Sequence, residues 1–235
     1  MAMAFLMILV MSYQATGNLF HEAAGVLLLL LFILHNVLNR KWYKSLPRGK
    51  YSRYRKVLLG VNLITLLSML AAMGTGIYLS QSIFTPLWGM REAYLLRPVH
   101  VAAGSWGTIL AAVHGGMHIR FPAQKKTILT IVGLAVGILG IWAFLVLDMP
   151  ARLVFQDRGL YWSYPALVLF LANAGVMALF AGLASAGAAW LKKKENNNLR
   201  GVYIYEKNEN RSNAAGNFYS PFFRCLRRTE LRTGK

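Results

Sequence analysis

The sequence predicts an all-α, polytopic transmembrane helix bundle of five full spans plus a partial N-terminal helix. Three observations carry that fold class. Hydrophobic residues make up 56% of the 235-residue chain and charged residues 14%. Several apolar runs approach about twenty residues, enough for a helix to cross a hydrocarbon core of about 30 Å. The 26 Lys and Arg residues gather in alternate connecting segments rather than spreading evenly.

The opening "MAMAFLMILVM" is apolar but too short to span, and "YQATGN" breaks the pattern. No Lys or Arg precedes Arg40, so the basic n-region of a cleavable signal is missing. The segment reads as the outer part of a first helix whose inner half lies upstream. Four strongly apolar spans follow at 18–38, 57–79, 127–147 and 165–190. A fifth, 98–118, is rich in Ala, Gly and Ser, a composition suited to the interior of a bundle rather than to lipid.

The basic residues orient these spans. Arg40, Lys41, Lys44, Arg48, Lys50, Arg53, Arg55 and Lys56 lie between the 18–38 and 57–79 spans. Arg120, Lys125 and Lys126 follow the 98–118 span, and eleven more basic residues follow Trp190. The opposite connections hold only Arg91, Arg97, Arg152 and Arg158, and the acidic residues before the tail, Glu22, Glu92, Asp148 and Asp157, fall on that side too. The positive-inside rule then predicts a multi-pass protein of the inner (cytoplasmic) membrane with a cytoplasmic C-terminus. The net charge of +18 is therefore an orientation signal with some attraction to anionic lipid, not a nucleic-acid footprint. Residues 1–191 form the membrane domain. The basic tail, 192–235, lacks an apolar period and is expected to be disordered. It holds the single cysteine, Cys225; with no partner and no C-x-x-C-H segment, disulfide and covalent-haem chemistry are not indicated.

Chemistry enters with the histidines. His21 and His35 bracket "HEAAGVLLLLLFILH", and His100 and His114 bracket "HVAAGSWGTILAAVH" at the same fourteen-residue interval. Fourteen residues advance a helix by about 21 Å and leave it only about 40° short of whole turns, so each pair shares one face near opposite membrane surfaces. The two spans are separated by one other span and so run parallel, which sets His21 level with His100 and His35 level with His114. Two facing imidazole pairs at two depths suit two stacked haem b groups, each iron held from both sides by neutral imidazoles. A lone membrane histidine is more often an interhelical hydrogen-bonder, but five on two parallel helices, four in matched pairs, reverse that weighting.

Gly25 and Gly104, one turn after His21 and His100, leave room for a flat macrocycle, and Gly107, Ala111 and Gly115 continue a small-residue surface. Arg97 at the outer edge and Arg40 and Lys41 at the inner edge are candidates for pairing with haem propionates. His118 lies one turn beyond His114, so either can face His35. The matched interval favours His114, leaving His118 for a quinone or proton site. Glu22 is read as a helix-start carboxylate near water before a proton gate. Trp42, Tyr43, Trp88, Trp106, Tyr161 and Trp162 are read as interfacial anchors or packing. "GLAVG" at 133–137 and Ala174, Ala178, Gly182 and Ala186 are read as helix-packing seams. Asp148 and Asn173 suggest only loop polarity and interhelical hydrogen bonding.

The segments "YQATGNLFHEAAG", "LHNVLNRKWYKSL", "GKYSRYRKVL" and "HVAAGSWGTILAAVHGGMH" together resemble the flavinylation-associated cytochrome family of bacterial membrane proteins. The similarity covers roughly residues 5 to 120 well and the last two helices loosely. It implies a multi-helix b-type cytochrome passing electrons through the membrane to extracytoplasmic proteins that carry covalent FMN. On matching positions it carries over His21, His35, His100, His114 and His118 as haem-associated. No D-G-x-T-G-A flavin-attachment segment is present, so a flavoprotein would be a separate partner, with a cytoplasmic or quinol donor on the other side. Family members have a fuller first helix, and an Asp-Tyr pair where this chain has "ANAG" at 172–175. The expectation is thus an electron-transfer subunit rather than a stand-alone enzyme. Its rivals are a cytochrome b subunit of a dehydrogenase, hydrogenase or ferric reductase, a His-lined metal or ion transporter without haem, and a cofactor-free anchor.

Overall fold

The computed structural model describes residues 2–47, 51–88, 95–119, 126–156 and 164–230, without the side chains of 87–88, 126–129, 199 and 201–230. Arg48, Lys50, Arg91, Glu92, Arg120, Lys125, Asp157, Arg158, Tyr161 and Trp162 lie outside the described residues, as do the side chains of Trp88, Lys126 and Cys225. All regular structure among the described residues is helical: α1 (Ala2–Met11), α2 (Tyr13–Thr16), α3 (Asn18–Leu38), α4 (Arg40–Ser45), α5 (Arg53–Leu79), α6 (Thr85–Trp88), α7 (Leu96–His118), α8 (Lys126–Val146), α9 (Met149–Leu153) and α10 (Ala166–Glu230). The chain divides into two compact units, Met1–Ala189 and Trp190–Lys235.

Local chemistry sets several of these boundaries. Gly17 stands between α2 and α3 at φ 77°, a left-handed conformation that costs an L side chain energy and glycine little. Ser52 caps α5, its hydroxyl accepting from the Arg55 amide at 3.2 Å. Asp148 turns the chain at φ 50° from α8 into α9, where Pro150 occupies the first turn.

Among the described residues, three helical segments are long and apolar enough to cross a membrane: Asn18–Leu38, Arg53–Leu79 and Ala166–Asn198. Thr130–Val146 is a shorter apolar helix. α7 is not among the three; its buried face is made largely of small and hydroxyl residues, Ala102, Ser105, Gly107, Thr108, Ala112 and Gly116. Leucines at 27, 30, 34 and 38 of α3 are 48–71% exposed, an outward apolar surface that water would not tolerate and hydrocarbon would.

Two cores hold the first unit together. One joins Leu6 and Met7 of α1 with Ala24, Leu28 and Phe32 of α3, Met69 of α5, Ala112 of α7 and Met177 of α10. The other joins Ile109, Ala143, Leu147, Met149, Leu169, Ala172 and Val176. Asn173 ties them to the N-terminus, donating to Ser12 Oγ at 3.2 Å and to the Leu169 carbonyl at 3.0 Å.

The packing seams differ from those expected. Gly133, Gly137 and Gly182 face open space, and Ala178 and Ala186 are exposed. The close crossings sit elsewhere: a methyl on Gly140 would lie 2.6 Å from Leu179 Cβ, and one on Gly116 would lie 2.6 Å from Ala181 Cα. Small residues permit an approach, but the opposing helix decides which are used. In the second unit the chain is helical to Glu230, where the lack of an apolar period predicts disorder. A helix satisfies its own backbone groups and so needs no apolar stripe to be locally complete.

Candidate functional site: two facing imidazole pairs

The histidines on α3 and α7 meet in the predicted pairs. The His21 and His100 ring centroids are 6.0 Å apart and those of His35 and His114 are 6.3 Å apart, with ring planes at 79° and 90°. Among the described residues no Cα of α3 lies within 8 Å of one of α7, so the two helices are bridged by side chains across a gap. α1 packs along α3 and α5 packs along α7, which holds that gap open from both sides.

Three of the four rings are held by the far nitrogen. His21 Nδ1–H donates to the Val10 carbonyl at 2.9 Å, at the end of α1. His100 Nδ1–H donates to the Ala72 carbonyl at 2.9 Å, with Thr75 Oγ1 at 3.1 Å. His114 Nδ1–H donates to Asn62 Oδ1 at 2.8 Å. A proton committed to Nδ1 leaves the Nε2 lone pair as the free coordinating position. His35 is held differently: it is exposed in the last turn of α3, and Asn39 Nδ2, which donates to the His35 carbonyl at 2.7 Å, stands 3.5 Å from its Nδ1. The exposed His118 ring lies 5.2 Å from that of His114.

The outer pair lines a cavity of about 320 Å³. Gly25 and Gly104 are on its wall, together with Met7, Met11, Met69, Met73 and Gly76. A methyl on Gly25 would meet nothing within 4 Å, and one on Gly104 would meet only Met11 Sδ at 3.8 Å. Arg97 lines the same cavity, and so do Arg152, Asp148 and Tyr164. Arg40 and Lys41 are exposed at the start of α4, directly beyond the inner end of α3.

Glu22 is a clamp. Its carboxylate accepts from Ser80 Oγ (2.7 Å), from the amides of Gln81 (2.7 Å), Ser82 (3.1 Å) and Ile83 (2.8 Å), and from Asn18 Nδ2 (2.8 Å). Successive backbone N–H groups around a carboxylate form an anion nest, and here the nest fixes the N-terminal part of α3 to the segment that follows α5. That tie holds His21 at the depth of Thr75 and His100. Trp106 is also bonded, its Nε1–H donating to the Leu153 carbonyl at 3.0 Å.

Does this arrangement fit a porphyrin iron? Two metal–nitrogen bonds of about 2 Å, with about 1.2 Å from each nitrogen to its ring centre, set two axial imidazoles about 6.4 Å apart between centroids. The observed 6.0 and 6.3 Å lie close to that spacing. No group of three or more His, Cys, Asp or Glu suited to a bare ion occurs among the described residues. A macrocycle brings four equatorial nitrogens of its own and asks the protein for only two, so paired histidines suffice. The residues present fit the group.

Sequence reasoning placed the 57–79 span but missed the contribution of α5 to the site. Asn62, Ala72, Thr75 and Gly76 all touch the site, and a methyl on Gly76 would lie 3.0 Å from His100 Cε1. A signal was present: Asn62 and Thr75, two of the few polar residues of this span along with Thr65 and Ser68, are thirteen apart, close to the histidine interval, on the span between the two histidine helices in sequence. Arg152 was counted only as an outer-side charge. Comparison of the chain with protein-family models, with curated proteins and with solved structures finds no match.

Proposed function

We propose that the chain is a membrane-embedded di-haem cytochrome b that relays electrons between a cytoplasmic-side or quinol donor and an extracytoplasmic acceptor. The observation that carries this reading is the pair of facing imidazole couples at 6.0 and 6.3 Å, three of their four rings anchored through Nδ1. His21 and His100 would hold the outer haem, and His35 and His114 the inner one. When bound, such a group supplies a one-electron ferric/ferrous couple.

The chain's own part is to bind, orient and bury. The Val10 and Ala72 carbonyls and Asn62 fix the tautomer and the aim of three imidazoles, leaving Nε2 of each for ligation. The methionines on the wall of the outer cavity would lower the polarity around the group and so favour the lower-charged state of its couple. Arg97 and Arg152, both on the wall of the outer cavity, would pair with the outer propionates, and Arg40 and Lys41, at the start of α4, with the inner ones. The five predicted spans, the inner-membrane location and the cytoplasmic C-terminus belong to this reading and rest on the charge distribution. The resemblance over residues 5 to 120 supports an extracytoplasmic FMN-carrying protein as the acceptor.

A pyridine haemochrome assay on the purified chain tests the proposal. Two haem b per chain are expected, and His21→Ala and His35→Ala should each lose one. Bound zinc or copper without a Soret band would instead favour the metal-handling rival, and colourless membranes a cofactor-free anchor.

A further inference from the structure

We infer that Asn62, on α5, is the positioning residue that makes His114 rather than His118 the inner haem ligand and tunes that haem's potential. The inference rests on the di-haem reading above. It begins from an ambiguity the sequence leaves open: two imidazoles one helical turn apart, His114 and His118, stand at the inner end of α7, and their rings are 5.2 Å from each other.

What separates them is the neighbour on α5. Asn62 Oδ1 accepts from His114 Nδ1–H at 2.8 Å. The proton is therefore committed to Nδ1, and Nε2 is left as a lone pair on the ring that faces His35 at 6.3 Å. Asn62 is one of the few polar groups in an apolar span, and burying its amide there is favourable only with a partner. His114 supplies that partner and gains a fixed tautomer and ring orientation in return. The outer site uses a different device, because His21 and His100 donate to backbone carbonyls of Val10 and Ala72. At His100 the side chain of Thr75 only supplements the Ala72 carbonyl, whereas at His114 the Nδ1 acceptor is itself a side chain that substitution can remove.

The electronic consequence has a sign. An acceptor on Nδ1–H draws the proton away from the ring and raises electron density at Nε2, which stabilises the ferric state. Removing the acceptor must raise the inner midpoint potential. Replacing it by a carboxylate must lower it.

The test uses the full-length haem-loaded protein, with optical redox titration and EPR of the ferric state. The inner transition is identified as the one missing in His35→Ala. Asn62→Leu, similar in size and without an acceptor, should shift that transition upward and leave the outer one in place. Asn62→Asp should shift it downward, and His118→Ala should keep both haems. A merely structural role for Asn62 would move the two Asn62 variants in the same direction. That outcome, or an unchanged inner potential and EPR signal in Asn62→Leu, or loss of the inner haem in His118→Ala, overturns the inference while the di-haem reading stands. Should Asn62→Asp fail to accumulate, the sign of the Asn62→Leu shift decides alone. A wild-type chain without haem overturns the di-haem reading and this inference with it.

Discussion

Gly76 lacks a side chain where the His100 ring needs the space: a Cβ there would sit 3.0 Å from Cε1. The ring cannot retreat without giving up the Ala72 carbonyl at 2.9 Å that holds its Nδ1. A β-branched substituent adds two methyls to that collision and cannot swing clear on a helix. If the chain holds the two proposed haems, Gly76→Val should therefore cost it the outer one and leave about half the wild-type haem content, measured by pyridine haemochrome, with the inner transition retained. Gly74→Val is the control, because a Cβ there meets nothing within 4 Å, and it should keep both haems. The comparison also marks what the sequence could disclose. Histidines announce themselves in an apolar run because each is costly there, and a helical interval then fixes their depth. Gly76 and Ala72 act through a missing atom and a backbone carbonyl, which no residue type advertises. Asn62 and Thr75 lay between, legible as polar residues in a span but not as partners until α5 was seen beside α7.

Helix existence was legible for a simple reason: backbone polar groups in hydrocarbon must be satisfied within the helix, so a long apolar run has few other choices. The 18–38 span coincides with α3, and 127–147 falls within one residue of α8. Contact faces were not legible, since lipid and a neighbouring helix are both apolar and a small residue serves either side. The "GLAVG" segment and the Ala174–Ala186 run satisfied every compositional rule for a seam, yet Gly140 and Gly116 make the crossings. At Gly116 the obstacle to a side chain is the Ala181 backbone, with Cα 2.6 Å from an added Cβ, and backbone cannot rotate away. Gly116→Val should force α7 from α10 and destabilise the protein by about 3 kcal/mol, lowering Tm in detergent by about 6–12 °C. Gly133→Val, on the outward face of α8, should stay within about 2 °C of wild type. The same crossing carries Ser185 Oγ, which donates to the Ile119 carbonyl at 3.2 Å, so the loosened variant should also expose the inner end of α7.

Facing imidazoles at two depths impose a condition on the whole chain: α3 and α7 must run in the same direction, so α5 has to cross between them in the opposite one. That condition fixes relative directions but not which end meets the cytoplasm. Charge supplies the missing sign, because the short connections beyond His35 and His118 carry eleven Lys and Arg and those on the His21 and His100 side carry four. Electrons delivered to the outer pair would then leave on the extracytoplasmic side, as a periplasmic or cell-surface acceptor requires. The chain's single cysteine, Cys225, makes the sign measurable without a cysteine-free background. A membrane-impermeant maleimide should leave Cys225 unmodified in intact cells and label it once the membrane is opened. In a Cys225→Ser chain, Leu95→Cys, at a 77% exposed position beside the first turn of α7, should label in intact cells. The reverse pattern would put the inner haem at the outer surface, and with it an extracytoplasmic donor rather than an acceptor. On the di-haem reading, the direction of electron delivery hangs on the distribution of cations, while the capacity to carry an electron at all hangs on the histidines.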